Sequence, residues 1–193
     1  TTLSSMIDPR DDDDLMLAFA AGDANAFDGL YDRYRKPLYR YLFHAVGDRS
    51  TADDLYQDVW SRIIGARARF RRGSGFKRWA FRIAHNRLVD HWRALGRAAF
   101  DADTTALDRA VDPMPQPDDS TSNEQQAERL RAALMKLPIE QREAFLLKQE
   151  AGLTLQELAE RDGVGREAIK SRLRYATGKL RKMLTPGAEV AGE

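Results

Sequence analysis

Thr154 and Glu157 stand three residues apart at the head of the segment TLQELAERDGVGREAIKSRLRYATGKLRKML, the spacing of a capping box. Leu155, Leu158 and Ala159 then give a first helix its buried face. Ala159 is small enough for a close helix crossing, and Gly163, four residues later, supplies the positive φ of a tight turn. Val164 plugs the corner, and Ile169, Leu173 and Leu180 take the inward face of a second helix. This is the anatomy of a helix-turn-helix. Outside that face lie Arg166, Lys170, Arg172, Arg174, Lys179, Arg181 and Lys182, against one acid, Glu167. The chemistry on offer is non-covalent: hydrogen bonds to base edges from the start of the helix and charge pairing with phosphates farther along. Arg166, Glu167, Lys170 and Ser171 are expected near bases, with Arg172, Arg174 and Lys179 nearer the backbone. The motif alone implies DNA binding, and a structural helical hairpin with a solvated basic face is its alternative.

A second basic block precedes it. Between Ala66 and Ala98, Arg67, Arg69, Arg71, Arg72, Lys77, Arg78, Arg82, Arg87, Arg93 and Arg97 face only Asp90, and Phe70, Phe76, Trp79 and Trp92 are interleaved with them. Arginines that track phosphates beside aromatic faces and amides suit unstacked single-stranded bases. The net charge of +1 conceals this sorting. Acids dominate from Asp8 to Asp32 and again from Ala99 to Glu128, where Arg109 is the lone base. Opposite charges in separate blocks favour polyanion binding over an ordinary solvated surface. A third feature is ADDLYQDVW, Ala52 to Trp60, where Asp53, Asp54, Gln57 and Asp58 accompany Leu55 and Val59 on one helix. It reads as a docking surface or as a merely solvated acidic face.

Bond-breaking chemistry finds little support. There is no cysteine, which excludes disulfides, thiolate nucleophiles and cysteine-ligated metals. His44, His85 and His91 are too scattered for a zinc site, so no metal or other cofactor is expected. A nucleic-acid enzyme would need a carboxylate or histidine constellation near the basic block, which holds only Asp90, His85 and His91 without metal spacing. The other rival is an ordinary helix-turn-helix regulator carrying an N-terminal sensor or dimerisation domain.

The elements that must position these groups are helical almost throughout. With 42% hydrophobic and 32% charged residues, the 193-residue chain can form one domain or two small ones, and its apolar residues recur at helical spacing. The expected fold is all-α, two small helical domains joined by a flexible acidic linker. Asp13 or Asp14 can cap a first helix that stops near Gly22, and Asp23 precedes a second. Pro37 is expected at a break or kink, and Ser50 or Thr51 as the cap of the helix that Gly65 closes. Arg67 to Lys77 reads as a basic loop around Gly73 and Gly75, followed by a helix from about Arg78 to Leu95. The acidic stretch with Pro113, Pro115 and Pro117 cannot bury enough apolar surface to offset its ordering entropy and reads as a flexible linker. Helix resumes at about Glu124 and pauses at Pro138. No apolar run approaches the ~18 residues of a membrane helix, and the first residues lack signal-peptide character, so no membrane insertion and a cytoplasmic location are expected.

The succession AFDGLYDRYRKPLYRYL, ADDLYQDVW and GFKRWAFRIAHNRLVDHWR closely resembles domain 2 of the extracytoplasmic-function (ECF, group IV) sigma factors of bacterial RNA polymerase. LMKLPIEQREAFLLKQEAGLTLQELAERDGVGREAIKSRLRYATGKLRKM resembles their domain 4. The two matches span about Leu15 to Arg97 and Glu128 to Leu184. They divide the chain into an acidic N-terminus (1–13), domain 2 (14–98), the linker (99–125), domain 4 (126–185) and a tail (186–193). Domain 3 of larger sigma factors is absent.

The resemblance implies a non-enzymatic subunit that binds core polymerase and directs promoter recognition and melting. Asp53, Asp54, Gln57 and Asp58 become contacts to the clamp helices of the largest polymerase subunit. The loop and helix from Arg67 to Arg97 become the reader of the −10 element, with Asn86, Asp90 and Arg93 on the family pattern and Phe70, Phe76, Lys77 and Arg78 lining the approach. The second helix of domain 4 becomes the −35 reader, through Arg166, Glu167, Lys170, Ser171, Arg172 and Arg174, and its domain also rests on the β flap. Promoter DNA and an anti-sigma factor complete the implied partners. Ala168, where relatives often carry threonine, and Tyr175 with Thr177, where an arginine-rich pattern is common, depart from the family.

Overall fold

The computed structural model describes residues 9–101 and 121–185, and among these the regular structure is helical without strands. Helix α1 (Asp12–Ala20) is capped by Asp11, whose carboxylate accepts from the Asp14 amide at 2.7 Å. The cap therefore falls two or three residues before the expected Asp13 or Asp14. Helix α2 (Ala24–Val46) is capped by Asp23, as its position before the helix predicts, and ends at Gly47 with φ of 77°. Pro37 lies inside α2 and does not interrupt it. A proline costs the helix one internal hydrogen bond, but Leu30, Tyr34, Leu38, Tyr41 and Leu42 form one buried face through this point and hold both halves in line.

Asp48, rather than Ser50 or Thr51, caps α3 (Arg49–Gly65), accepting from the Thr51 amide at 2.7 Å. A short 3-10 turn (Arg67–Arg69) leads into the glycine-containing loop. Helix α4 (Phe76–Asp101) starts two residues earlier than expected and runs six residues past Leu95. Helix α5 (Thr121–Met135) likewise starts three residues before Glu124. The remainder of the expected linker, residues 102–120, lies outside the described residues, as do residues 1–8 and 186–193. After α5 come α6 (Ile139–Glu150), α7 (Leu155–Asp162) and α8 (Arg166–Leu184).

The long helix α2 is the axis of the arrangement, packing against α1, α3 and α4 on one side of the chain and against α5 and α6 on the other. The buried apolar residues join into one cluster, from Leu15 and Met16 in α1 to Ile169 and Leu180 in α8. The two halves therefore share a core. At their contact Gly47 lies so close to α5 that an added Cβ would meet the Met135 sulfur at 2.5 Å, and its left-handed backbone independently favours glycine.

Candidate nucleic-acid interface

The helix-turn-helix forms as its spacing requires. Thr154 Oγ1 accepts from the Glu157 amide at 3.2 Å, and the Glu157 carboxylate accepts from the Thr154 amide at 2.8 Å, closing the capping box. These bonds to the backbone amide and hydroxyl outweigh burial and hold the Glu157 carboxyl below its ordinary pKa. Gly163 ends α7 with φ of 65°, Ala159 is buried at the crossing and Ile169 is fully buried. Against this scaffold α8 turns Arg166, Glu167, Lys170 and Arg174 to solvent, with Ser171 half-buried. Glu167 and Lys170 pair loosely at 3.7 Å, and the Arg174 guanidinium lies over the Tyr175 ring. Arg172 behaves differently: it donates to Asp162 at 2.7 Å and to Glu140 at 2.8 Å. Its charge is spent on joining α8 to α7 and α6, because its position in α8 faces the two acids that those helices present.

Helix α4 is two-sided. Ala80, Phe81, Ala84 and Leu88 are buried, while Arg82, Asn86, Asp90 and Arg93 follow one another at four- and three-residue steps along an exposed stripe. Lys77 and Arg78 are exposed at its start. Phe70 and Phe76, expected along the path of approaching DNA, are 3% and 1% exposed. They form an edge-on cluster with Trp79 and Tyr34 and serve here as the floor beneath the loop. Aromatic side chains bury large areas, so rings flanking a glycine loop gain more from the core than from water.

On α3, Asp54 and Gln57 are exposed, whereas their neighbours have internal partners. Asp53 accepts from the Tyr39 hydroxyl at 2.8 Å. Asp58 is bound by Arg87 of α4 and by Arg62; burial raises its pKa, but these two arginines together bring it below its ordinary value. Among the described residues no three acidic or histidine side chains gather as a metal site, and no helix is long and apolar enough to cross a membrane.

The surface between the halves holds groups that sequence reasoning did not single out. Glu143 of α6 is 6% exposed, and its Oε1 accepts from the Tyr41 hydroxyl of α2 at 3.0 Å and from His85 Nδ1 of α4 at 2.7 Å. A carboxylate only accepts, which places the histidine proton on Nδ1. Burial, and then the neighbouring Glu143, keep Tyr41 protonated far above its ordinary pKa. At the rim Arg40 pairs with Glu150 at 2.8 Å, Arg131 donates to the Gly47 carbonyl and Arg78 approaches Glu157 at 4.0 Å. A cavity of about 510 Å³ opens between α4 and the α7 side, lined by Arg78, Arg82 and Asn86 on one wall and Leu153, Glu157 and Arg161 on the other. The polar stripe of α4 thus begins against the second half, while the start of α8 is open.

The family model for Sigma-70 region 2 matches residues 30–98, and that for Sigma-70 region 4 matches residues 133–182. The ECF RNA polymerase sigma factor SigM of Mycobacterium tuberculosis is 32% identical over 175 residues, covering 91% of this chain and 85% of its own length. The chain belongs to the ECF sigma factors. BldN of Streptomyces coelicolor, another ECF sigma factor, is 31% identical over 169 residues, covering 87% of this chain, which spans 64% of BldN. Among solved structures, the sigma factor RpoE of Bartonella quintana in complex with the anti-sigma factor NepR aligns with a TM-score of 0.68 and 25% identity, over 83% of this chain and 98% of that one. CnrH in complex with the cytosolic domain of CnrY shares the fold, with a TM-score of 0.65 at 23% identity over 90% of this chain and 97% of that one.

Within this sigma factor, region 2 takes in α3 and most of α2 and α4, and region 4 takes in α6, α7 and most of α8. All three candidate surfaces fall inside the matched regions: Asp53 to Asp58 and Phe70 to Arg93 in region 2, and Arg166 to Arg174 in region 4. Arg82 belongs geometrically with Asn86, Asp90 and Arg93. Its four-residue offset from Asn86 was the available signal.

Proposed function

We propose that this sigma factor acts by bringing core RNA polymerase to promoters through two readers of different kind. The start of α8 reads duplex DNA at the −35 element through Arg166, Glu167, Lys170 and Ser171, with Arg174 at the backbone. The stripe of Arg82, Asn86, Asp90 and Arg93 on α4, with Lys77 and Arg78, holds unpaired bases of the −10 element. Phe70 and Phe76 act from beneath, as the floor of that surface. Asp54 and Gln57, exposed on α3, make the main contact to the polymerase clamp, and Asp53 and Asp58 hold that face in register through Tyr39 and Arg87. The domain limits 14–98 and 126–185, the contact of the second domain with the β flap and a cytoplasmic setting belong to the same reading.

The observation that carries it is the coexistence in one chain of an open helix-turn-helix and a separate basic, amide-bearing stripe, each inside its matched region. Promoter melting needs no bond broken by this subunit. Unstacking costs on the order of a few kcal/mol per base, which captured bases and polymerase contacts can offset. Since the halves pack together and cover part of α4, a partner that favours the packed state would keep the factor silent; the likeness to RpoE in its NepR complex supports an anti-sigma factor in that role.

Run-off transcription with core polymerase on a promoter library tests the reading. Defined transcripts sharing −35 and −10 sequences are expected, and no added transcript from any template would sink it. Asp54→Lys should reduce core-polymerase affinity by at least about tenfold, as reversal of an interface charge costs more than ~1.4 kcal/mol. Unchanged affinity by fluorescence polarisation would remove Asp54 from the docking face.

A further inference from the structure

Helix α4 begins without a capping side chain of its own. The residue before it is Gly75, and Gly73 and Gly75 both have left-handed backbones, with φ of 81° and 71°. A helix start leaves several amides without helical partners, and a loop of this kind ordinarily offers them only water. Here they find Asp13. Its Oδ2 accepts from the Gly73 amide at 2.8 Å and the Gly75 amide at 3.3 Å, and its Oδ1 accepts from the Phe76 amide at 2.7 Å.

The support behind Asp13 is firm. On the same turn of α1, Asp12 pairs with Arg33 at 2.6 Å and accepts from the Tyr34 hydroxyl, which ties the helix to α2. Leu15 and Met16 are fully buried beneath it. Asp14 pairs with Arg72 in the loop itself. From the other side Arg78 donates to the Ser74 carbonyl through Nε at 3.2 Å and Nη2 at 2.8 Å. The loop between Arg71 and Phe76 is therefore clamped at both its amides and its carbonyl.

We propose that Asp13 is a positioning residue for −10 recognition: from α1 it caps α4 and sets the loop and first turn that present Lys77 and Arg78 to unpaired bases. The proposal rests on the base-holding role of α4 given above. It adds a determinant from a helix that precedes the matched region 2, which begins at residue 30. Asp13 acts through three backbone amides and touches no nucleotide. Charge-assisted bonds of this type are about twice as strong as neutral ones, so their removal shows first where the loop must keep one shape to hold a base.

The experiment compares wild type, Asp13→Ala and Asp13→Asn as full chains, each assembled with core polymerase on one promoter that the wild type serves. Three quantities are read: affinity for core polymerase, permanganate reactivity of −10 thymines as a rate of opening, and amide hydrogen exchange at Gly73, Gly75 and Phe76. Asp13→Ala should slow opening by about tenfold, with core affinity within about twofold of wild type and faster exchange confined to those amides. Asp13→Asn keeps one acceptor oxygen and should recover part of the rate. Opening at the wild-type rate in Asp13→Ala would overturn the proposal, and so would a parallel fall of core affinity and opening in both variants. Should Asp13→Ala fail to fold, Asp13→Asn decides: slowed opening with local exchange supports the proposal, and unchanged opening overturns it. A wild type that opens no promoter would instead strike the base-holding role itself.

Discussion

The two helices proposed above as readers, α4 and α8, are both basic with an apolar side, yet they are carried in different ways. Helix α8 is the outer member of a local motif: its turn comes at Gly163, its packing is chiefly on α5, α6 and α7 of the same half, and its first turn is exposed. Helix α4 is held by distant groups, by Asp13 at its start, Asp58 along its length and Glu143 of the other half against His85. A duplex groove accepts a rigid helix presented whole. Unpaired bases need a shaped surface, and shaping draws on several elements. The first helix draws its support chiefly from its own half, and the second draws on both halves.

Four variants would break or sharpen this contrast. Ile169→Ala removes a fully buried side chain from the helix-turn-helix and should cost about 2–5 kcal/mol, measured by urea unfolding. If the α8 reader is as local as described, −35 duplex affinity should fall more steeply than binding of a −10 single strand. Equal losses would mean that the readers are one unit. Glu143→Ala should have the next largest effect, about 1–3 kcal/mol, because it leaves the buried Tyr41 hydroxyl and His85 Nδ1 without their acceptor. The packed arrangement should loosen, and the isolated chain should bind a −10 single-stranded oligonucleotide more tightly, with −35 duplex binding little changed. No gain in single-strand affinity would show that the packing does not restrain α4.

Thr154→Ala, at the capping box, should cost about 1 kcal/mol by thermal unfolding and act on α7 and α8 alone. The same site has a pH signature. The Glu157 carboxyl lies below its ordinary value in the folded chain, so its contribution is complete above the unfolded value of 4.5 and is lost as pH falls from there through the folded value. Glu157→Gln should flatten that part of the stability profile, and an unchanged acid limb would assign the loss to other carboxylates.

Much of the helix-turn-helix was legible because its determinants are close in sequence. The Thr154 to Glu157 offset, small Ala159, the turn at Gly163 and buried Ile169 all stand where their spacing put them. The helical class was equally plain from periodicity. What escaped is long-range. Asp13 looked like a cap for its own helix, and only the return of the chain sixty residues later gives it the amides of Gly73 and Phe76. Arg172 read as one more exposed base, until Asp162 and Glu140 came within reach of it. Phe70 and Phe76 could have lain on either side of the loop, and Tyr34, far away in α2, decides for the interior. Nothing local marks Tyr41, His85 and Glu143 as a set, because each comes from a different helix.

The single cluster of buried side chains that runs through both halves has a thermodynamic consequence. Parting the halves hydrates apolar surface that the packed chain keeps dry, so the step carries a positive heat capacity. Its enthalpy then rises with temperature, and the balance between packed and parted forms does not follow one fixed van't Hoff slope. A sigma factor built on a shared core thus carries a temperature response in its own hydration, before any other molecule touches it.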